Sequence, residues 1–170
     1  MTDSATAPLT LDGWFVLHQF FRWSPPATPA DGGQDATRRA EALGDLFGRW
    51  EDLGDDGWSG LYRMVGGGSD YMAIHFRSSL DGLGDAERTL QRHDAGRDLI
   101  CTGDYLSVVE LGLYSLTVSL MEKAEEEGVR HGSDEWREMA AEALEREREK
   151  KYVQRRLQPR QPDEMPYVCF

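Results

Sequence analysis

Residues Leu11–Trp23 (Leu-Asp-Gly-Trp-Phe-Val-Leu-His-Gln-Phe-Phe-Arg-Trp) constrain this chain more than any other stretch. In an extended strand, side chains alternate between two faces. Here Trp14, Val16, His18 and Phe20 would occupy one face, and Phe15, Leu17, Gln19 and Phe21 the other. Aromatic and aliphatic residues on both faces require a central strand that is covered on both sides. The chain must therefore supply a sheet, helices to cover one face, and something further to cover the other.

The remaining segments supply the sheet and the helices. Thr37–Leu53 carries Ala40, Leu43, Leu46, Phe47 and Trp50 at helical spacing. Trp58–Val65 and Asp70–Arg77 flank Gly66-Gly67-Gly68-Ser69, whose glycines provide the positive φ of a hairpin turn. Leu80–Leu99 reads as a helix started by Ser79 or Asp81, and Tyr105–Tyr114 as a β-rich run. Strand, helix, strand, strand, helix, strand is the ferredoxin-like βαββαβ order, an α+β fold with both helices on one sheet face. The other face is too apolar for water, so it is expected to pack on a second sheet, as in paired α+β barrels.

Four segments follow from this order. Residues 1–9 form a polar, flexible N-terminus, and residues 10–115 the ferredoxin-like domain. Residues 116–157 form a helical insertion or connector, with Leu116–Glu127 stopped at Gly128 and Asp134–Leu157 capped by Ser133. Residues 158–170 read as a proline-rich linker (Pro159, Pro162) and the first strand, Tyr167-Val168-Cys169-Phe170, of a further domain missing from this chain. Ser24–Asp35, with Pro25, Pro26, Pro29, Gly32 and Gly33, is expected to be a mobile loop.

Composition narrows the function. A net charge of −12 makes nucleic acid a poor partner. Only Lys123, Lys150 and Lys151 are lysines, a bias that suits a strongly hydrated surface and suggests a halophilic source. The two cysteines, Cys101 and Cys169, form neither a disulfide framework nor a metal spacing, which fits a reduced, cytoplasmic setting. No signal peptide and no membrane span are expected.

No catalytic motif stands out. His18, His75, His93 and His131 are not at metal-ligand spacing. Those on strands, His18 and His75, could meet across the sheet, but read more simply as buried histidines bonded to neighbours. Gly66-Gly67-Gly68 joins two strands and so is a turn rather than a phosphate cradle. Glu110 interrupts an apolar strand and calls for a partner, for which Arg77 is the candidate. Arg156 and Arg160 frame the linker, where they could grip a carboxylate or simply cap a helix end.

Four segments in this order, Leu11–His18, Met72–Arg77, Ser107–Leu111 and Met165–Phe170, resemble the chlorite dismutase superfamily, in its coproheme decarboxylase-like branch. The resemblance implies two ferredoxin-like halves packed sheet on sheet, commonly assembled as pentamers, with haem in the second half on an axial histidine. In that branch Tyr-Val-Cys-Phe continues into Tyr-Pro-Met, whose tyrosine is redox-active. This chain would then be the N-terminal scaffold half, without the segments that carry the axial histidine and the redox tyrosine, which leaves open whether it is itself an enzyme. The cofactor implied is haem or coproheme in the complete protein, with none held tightly by this chain alone. The family's propionate contacts fall on Tyr114 and Arg156, and no catalytic or metal-binding residue falls within the chain. Partners implied are a porphyrin and either further copies, as a pentamer, or a separate haem-domain chain. Two other readings remain: a non-catalytic oligomerising module, and a haem-free α+β barrel monooxygenase-like homodimer.

Overall fold

The computed structural model describes residues 7–24 and 34–161, and the backbone of 167–169. The loop residues Pro25–Gly33, most of the N-terminal tail and Pro162–Pro166 lie outside the described residues. The sheet contains β1 (Thr10–Trp23), β2 (Gly57–Val65), β3 (Tyr71–Arg77), β4 (Leu99–Gly112) and β5 (Tyr167–Cys169), in the order β4-β1-β3-β2-β5. The first four strands give the ferredoxin-like order. β3 pairs antiparallel with both β1 and β2, through Leu17↔His75 and Ser59↔His75. β5 adds to the far edge, parallel to β2, with Met64↔Val168.

Two helices cover one face of this sheet, α1 (Gln34–Arg49) and α2 (Leu80–Arg92). Phe21 and Ala73 pack there with Leu43, Leu46, Phe47, Leu90 and Ala95. Trp14, Trp58, Tyr62 and Met72 cluster on the opposite face, with Phe20, Ile74 and Phe76 beside them. Both faces of β1 are thus apolar, as its sequence requires. The Gly66-Gly67-Gly68 turn has φ of 89°, 74° and 76°, the region glycine adopts without steric cost.

Three helices follow β4: α3 (Tyr114–Glu127), α4 (Asp134–Arg148) and α5 (Lys151–Leu157). Gly128 closes α3 in the left-handed region, and the Ser133 hydroxyl accepts from Trp136 N at the start of α4. The contacts divide the chain into two compact units. One holds Met1–Gly13 and Val109–Pro159, the other Trp14–Val108 and Arg160–Phe170. The first has cores around Leu120, Trp136 and Ala140, and around Leu11, Leu113, Val153 and Leu157.

Several boundaries depart from the sequence reading. The helix expected over Leu80–Leu99 stops at Arg92, because His93 turns extended and its ring accepts from Ala95 N. A 3-10 turn over Asp94–Asp98 follows, and β4 begins at Leu99, ahead of the expected Tyr105. Tyr114, expected to end that strand, instead begins α3. The helix expected over Asp134–Leu157 is broken at Lys150, whose ψ of 127° is extended.

Candidate functional site

The first unit carries an open cleft of about 470 Å³. Its walls come from the end of β4 (Leu111, Gly112), the first turns of α3 (Tyr114, Ser115, Ser119), and the α4–α5 junction (Glu147, Lys150, Tyr152, Arg156). Tyr114 and Arg156, distant in sequence, therefore line one space. Local structure explains Tyr114: it is the first residue of a helix with no side-chain cap, and its exposed ring lies over Gly112, where a Cβ would come within 3.1 Å of it. The uncapped first turn leaves the positive end of α3 beside Tyr114 and Ser115.

Glu147 is the buried charged residue of the cleft, 8% exposed in a helix otherwise rich in solvated charge. Its Oε2 accepts from Lys150 Nζ at 2.5 Å, and its Oε1 accepts from the Tyr152 hydroxyl. Those two bonds hold its carboxyl below the usual carboxylate range, while the same carboxylate raises Lys150 and Tyr152 above theirs. Arg156, on α5, is exposed and makes no ion pair or hydrogen bond among the described residues. The cleft thus presents a free guanidinium, an ammonium with spare donors, the Tyr114 phenol and two serine hydroxyls. This donor set suits an anion with oxygen acceptors.

The sequence reading missed Glu147, Lys150, Tyr152 and the two serines. One signal was present. Two of the three lysines in a strongly acidic chain are adjacent, and Arg155, Arg156 and Arg160 follow closely. Arg160, the other proposed carboxylate grip, is engaged elsewhere: it donates to Gly54 O at 3.0 Å, reaches Asp52, and its guanidinium lies 5.6 Å from the centre of the Trp14 ring.

The histidines do not converge. The register sets Leu17 opposite His75 and Ile74 opposite His18, so the two rings project from opposite faces. His75 is fully buried between Phe47 and Trp50, and its Nδ1 lies 2.8 Å from Ser59 Oγ. The same Ser59 Oγ accepts from Arg77 at 2.8 Å, which leaves its proton and a second lone pair available to His75 Nδ1 in either tautomer. Burial, reinforced by the Arg77 charge, pushes His75 down to about 3. Arg77, the partner expected for Glu110, donates to Trp58 O and Phe76 O instead, and Glu110 lies exposed. His18 is likewise lowered by burial, His93 caps a turn, and His131 packs on the Trp136 ring. No cluster of three or more metal-ligating side chains occurs among the described residues.

The sequence profile of the family described as chlorite dismutase matches residues 37–170. The chain belongs to the chlorite dismutase family. A curated coproheme decarboxylase of Thermus thermophilus is 36% identical over 110 residues, which is 61% of this chain and 42% of that protein. The coproheme decarboxylase of Oceanobacillus iheyensis is 24% identical over 168 residues, 98% of this chain and 57% of that one. Among solved structures, a heme-binding protein from Thermus thermophilus superposes with a TM-score of 0.59 at 28% identity, covering 91% of this chain and 52% of that one. The chain thus spans about half the length of these three relatives. No helix among the described residues is long and apolar enough to cross a membrane.

Proposed function

We propose that this member of the chlorite dismutase family supplies the ferredoxin-like scaffold half of a haem- or coproheme-binding protein, with Tyr114 and Arg156 holding a porphyrin propionate. The observation that carries this reading is their meeting in one cleft, where the Arg156 guanidinium has no partner among the described residues. In a chain of net charge −12, an unpaired cation lining a cleft is well suited to draw a carboxylate in. A guanidinium can take both carboxylate oxygens in a forked pair, and a phenol can donate a third hydrogen bond.

The residues fit the carboxylate rim of the porphyrin and not its iron. His75 is buried and neutral, and the other imidazoles do not converge on this cleft. When bound, the iron porphyrin supplies the redox chemistry, which in the complete protein is peroxide-dependent oxidative decarboxylation of coproheme propionates or a related haem peroxidase reaction. The part played by this chain is to bind and orient the macrocycle, and iron ligation is expected from outside it.

Titration of the 170-residue chain with metal-free coproporphyrin III, followed by fluorescence, tests the site. Arg156→Ala should weaken binding about tenfold or more, as expected for losing hydrogen bonds to a charged group. An unchanged affinity would overturn the assignment. A histidine-dependent Soret shift with coproheme would overturn the expectation that iron ligation lies outside this chain. The second reading, an oligomerising module without catalysis, is favoured by exposed Ile100, Tyr105, Leu106 and Val108 on edge strand β4. The native mass separates the cases: a pentamer or a complex with a separate haem-domain chain fits the porphyrin reading, and a bare dimer fits a haem-free monooxygenase-like protein. A cytoplasmic location and salt-dependent folding complete the proposal; folding indifferent to salt would remove the halophilic part.

A further inference from the structure

Besides Tyr114 and Arg156, the cleft contains a carboxylate, and a carboxylate is an unexpected wall for an anion site. Glu147 is the least exposed charged group in it, and both its oxygens are occupied, one by Lys150 and the other by Tyr152. These bonds engage one lone pair of each oxygen without removing its charge. Lys150 spends one of three N–H donors on Glu147 and keeps two. Tyr152 spends its only proton on Glu147, so its oxygen can only accept from there on. The cleft therefore holds two cations, Lys150 and Arg156, against one carboxylate.

We propose that Glu147 is a specificity-determining positioning residue, which holds Lys150 as a second donor arm and sets the cleft to accept a singly charged carboxylate in preference to a dianion such as sulfate or a phosphate ester. A net charge of one is neutralised by one carboxylate. A dianion leaves an excess negative charge beside Glu147 and must shed a much more strongly held hydration shell, costs that offset its larger Coulomb attraction to a site of net charge one. Donor geometry does not discriminate, because a guanidinium fork takes two oxygens of a carboxylate or of a phosphate alike, so the selectivity rests on charge balance. The spare Lys150 donors and the Tyr114 hydroxyl supply the remaining bonds. The inference rests on the propionate reading above and deepens it, because a porphyrin presents separate monoanionic carboxylates whereas many competing metabolites present phosphate.

The test reads the two apart. The Arg156 Nε–H signal of the full 170-residue chain is followed by NMR during titration with propionate or with sulfate, at constant ionic strength. The wild-type chain should bind propionate more tightly. Glu147→Gln should shift the ratio of affinities toward sulfate by about two- to fivefold, the scale of one partly exposed charge pair. Glu147→Asp, which keeps the charge, should preserve the wild-type order. Lys150→Met, at an exposed position, should weaken propionate by a similar factor if Glu147→Gln fails to fold. An unchanged ratio in Glu147→Gln, no effect of Lys150→Met, or a wild-type preference for sulfate would each overturn the inference. Coproporphyrin binding is scored separately: its absence beside intact carboxylate selectivity would refute the porphyrin reading alone.

Discussion

Lowering the pH should destabilise this protein most of all through His75. In the unfolded chain its imidazole titrates at its ordinary value of 6.5, whereas in the folded state burial, with Arg77 near by, holds it down to about 3. A depressed imidazole means that the folded state refuses a proton the unfolded state accepts, so stability is full above pH 6.5 and falls as the pH drops toward 3. Between about pH 7 and pH 5 the unfolded imidazole becomes almost fully charged while the folded one stays neutral, a loss of about 2 kcal/mol. That figure barely changes if the folded value is about one unit higher, because the folded ring still stays neutral down to about pH 5. The local geometry gives the reason. A charged ring would need an acceptor at both nitrogens, but Nε2 has none among the described residues. Urea unfolding at about pH 7, 6 and 5 measures the effect, with His75→Gln as the non-titrating reference that cancels the other groups. The wild-type chain should lose about 2 kcal/mol more than the variant over this interval. Equal losses in the two proteins would show that the histidine is not held neutral by its surroundings.

Other positions give sharper local tests. A Cβ at Gly13 would sit 2.0 Å from Leu157 O, and every close atom is backbone, so β1 and α5 must separate to admit it. Gly13→Ala should cost about 1–3 kcal/mol, and by moving the turn that carries Arg156 it should also weaken coproporphyrin binding; a wild-type melting temperature would contradict both. Arg39 Nε donates to buried Asp98 at 2.9 Å, with Asp35 on the other side of the guanidinium. Asp98→Ala should destabilise by about 3 kcal/mol in denaturant melts, because Arg39 loses its buried partner, and by much less in the Arg39→Met background. Ser133→Ala removes the acceptor for Trp136 N and should cost about 1 kcal/mol by the same assay, whereas Ser133→Asp should not.

The four-strand core was legible because its signals are local. Alternation in Met72–Phe76, three consecutive glycines and an apolar stripe on α1 specify strand, turn and helix without any distant partner. The end of α2 was not legible for the opposite reason. Asp94-Ala95-Gly96-Arg97-Asp98 contains nothing that forbids another helical turn, but distant bonds select the 3-10 form. Ser24 N donates to Asp98 O, Arg39 holds the Asp98 carboxylate, and Gly96 lies where a Cβ would meet Leu90 O at 2.1 Å. Such contacts have no periodic trace in sequence.

The cleft shows the same division within a single site. Tyr114 came from resemblance alone, whereas Arg156 was already marked, with Arg160, as a possible carboxylate grip framing the linker. Glu147 and Lys150 sit inside Glu145–Lys151, a stretch that reads as a solvated helix end, and Tyr152 follows it directly. On an uninterrupted helix, positions five apart are rotated by about 140°, so Tyr152 could not share a face with Glu147. The extended backbone at Lys150 removes that restriction and lets one carboxylate accept from both neighbours. No proline or glycine marks the break. Folding Glu147 inward as a shared acceptor and breaking the helix are therefore one event: each supplies the geometry the other needs. A variant that restores helix through Lys150 should dismantle the Glu147–Tyr152 bond and Arg156's position together, even with every side chain of the cleft still in the sequence.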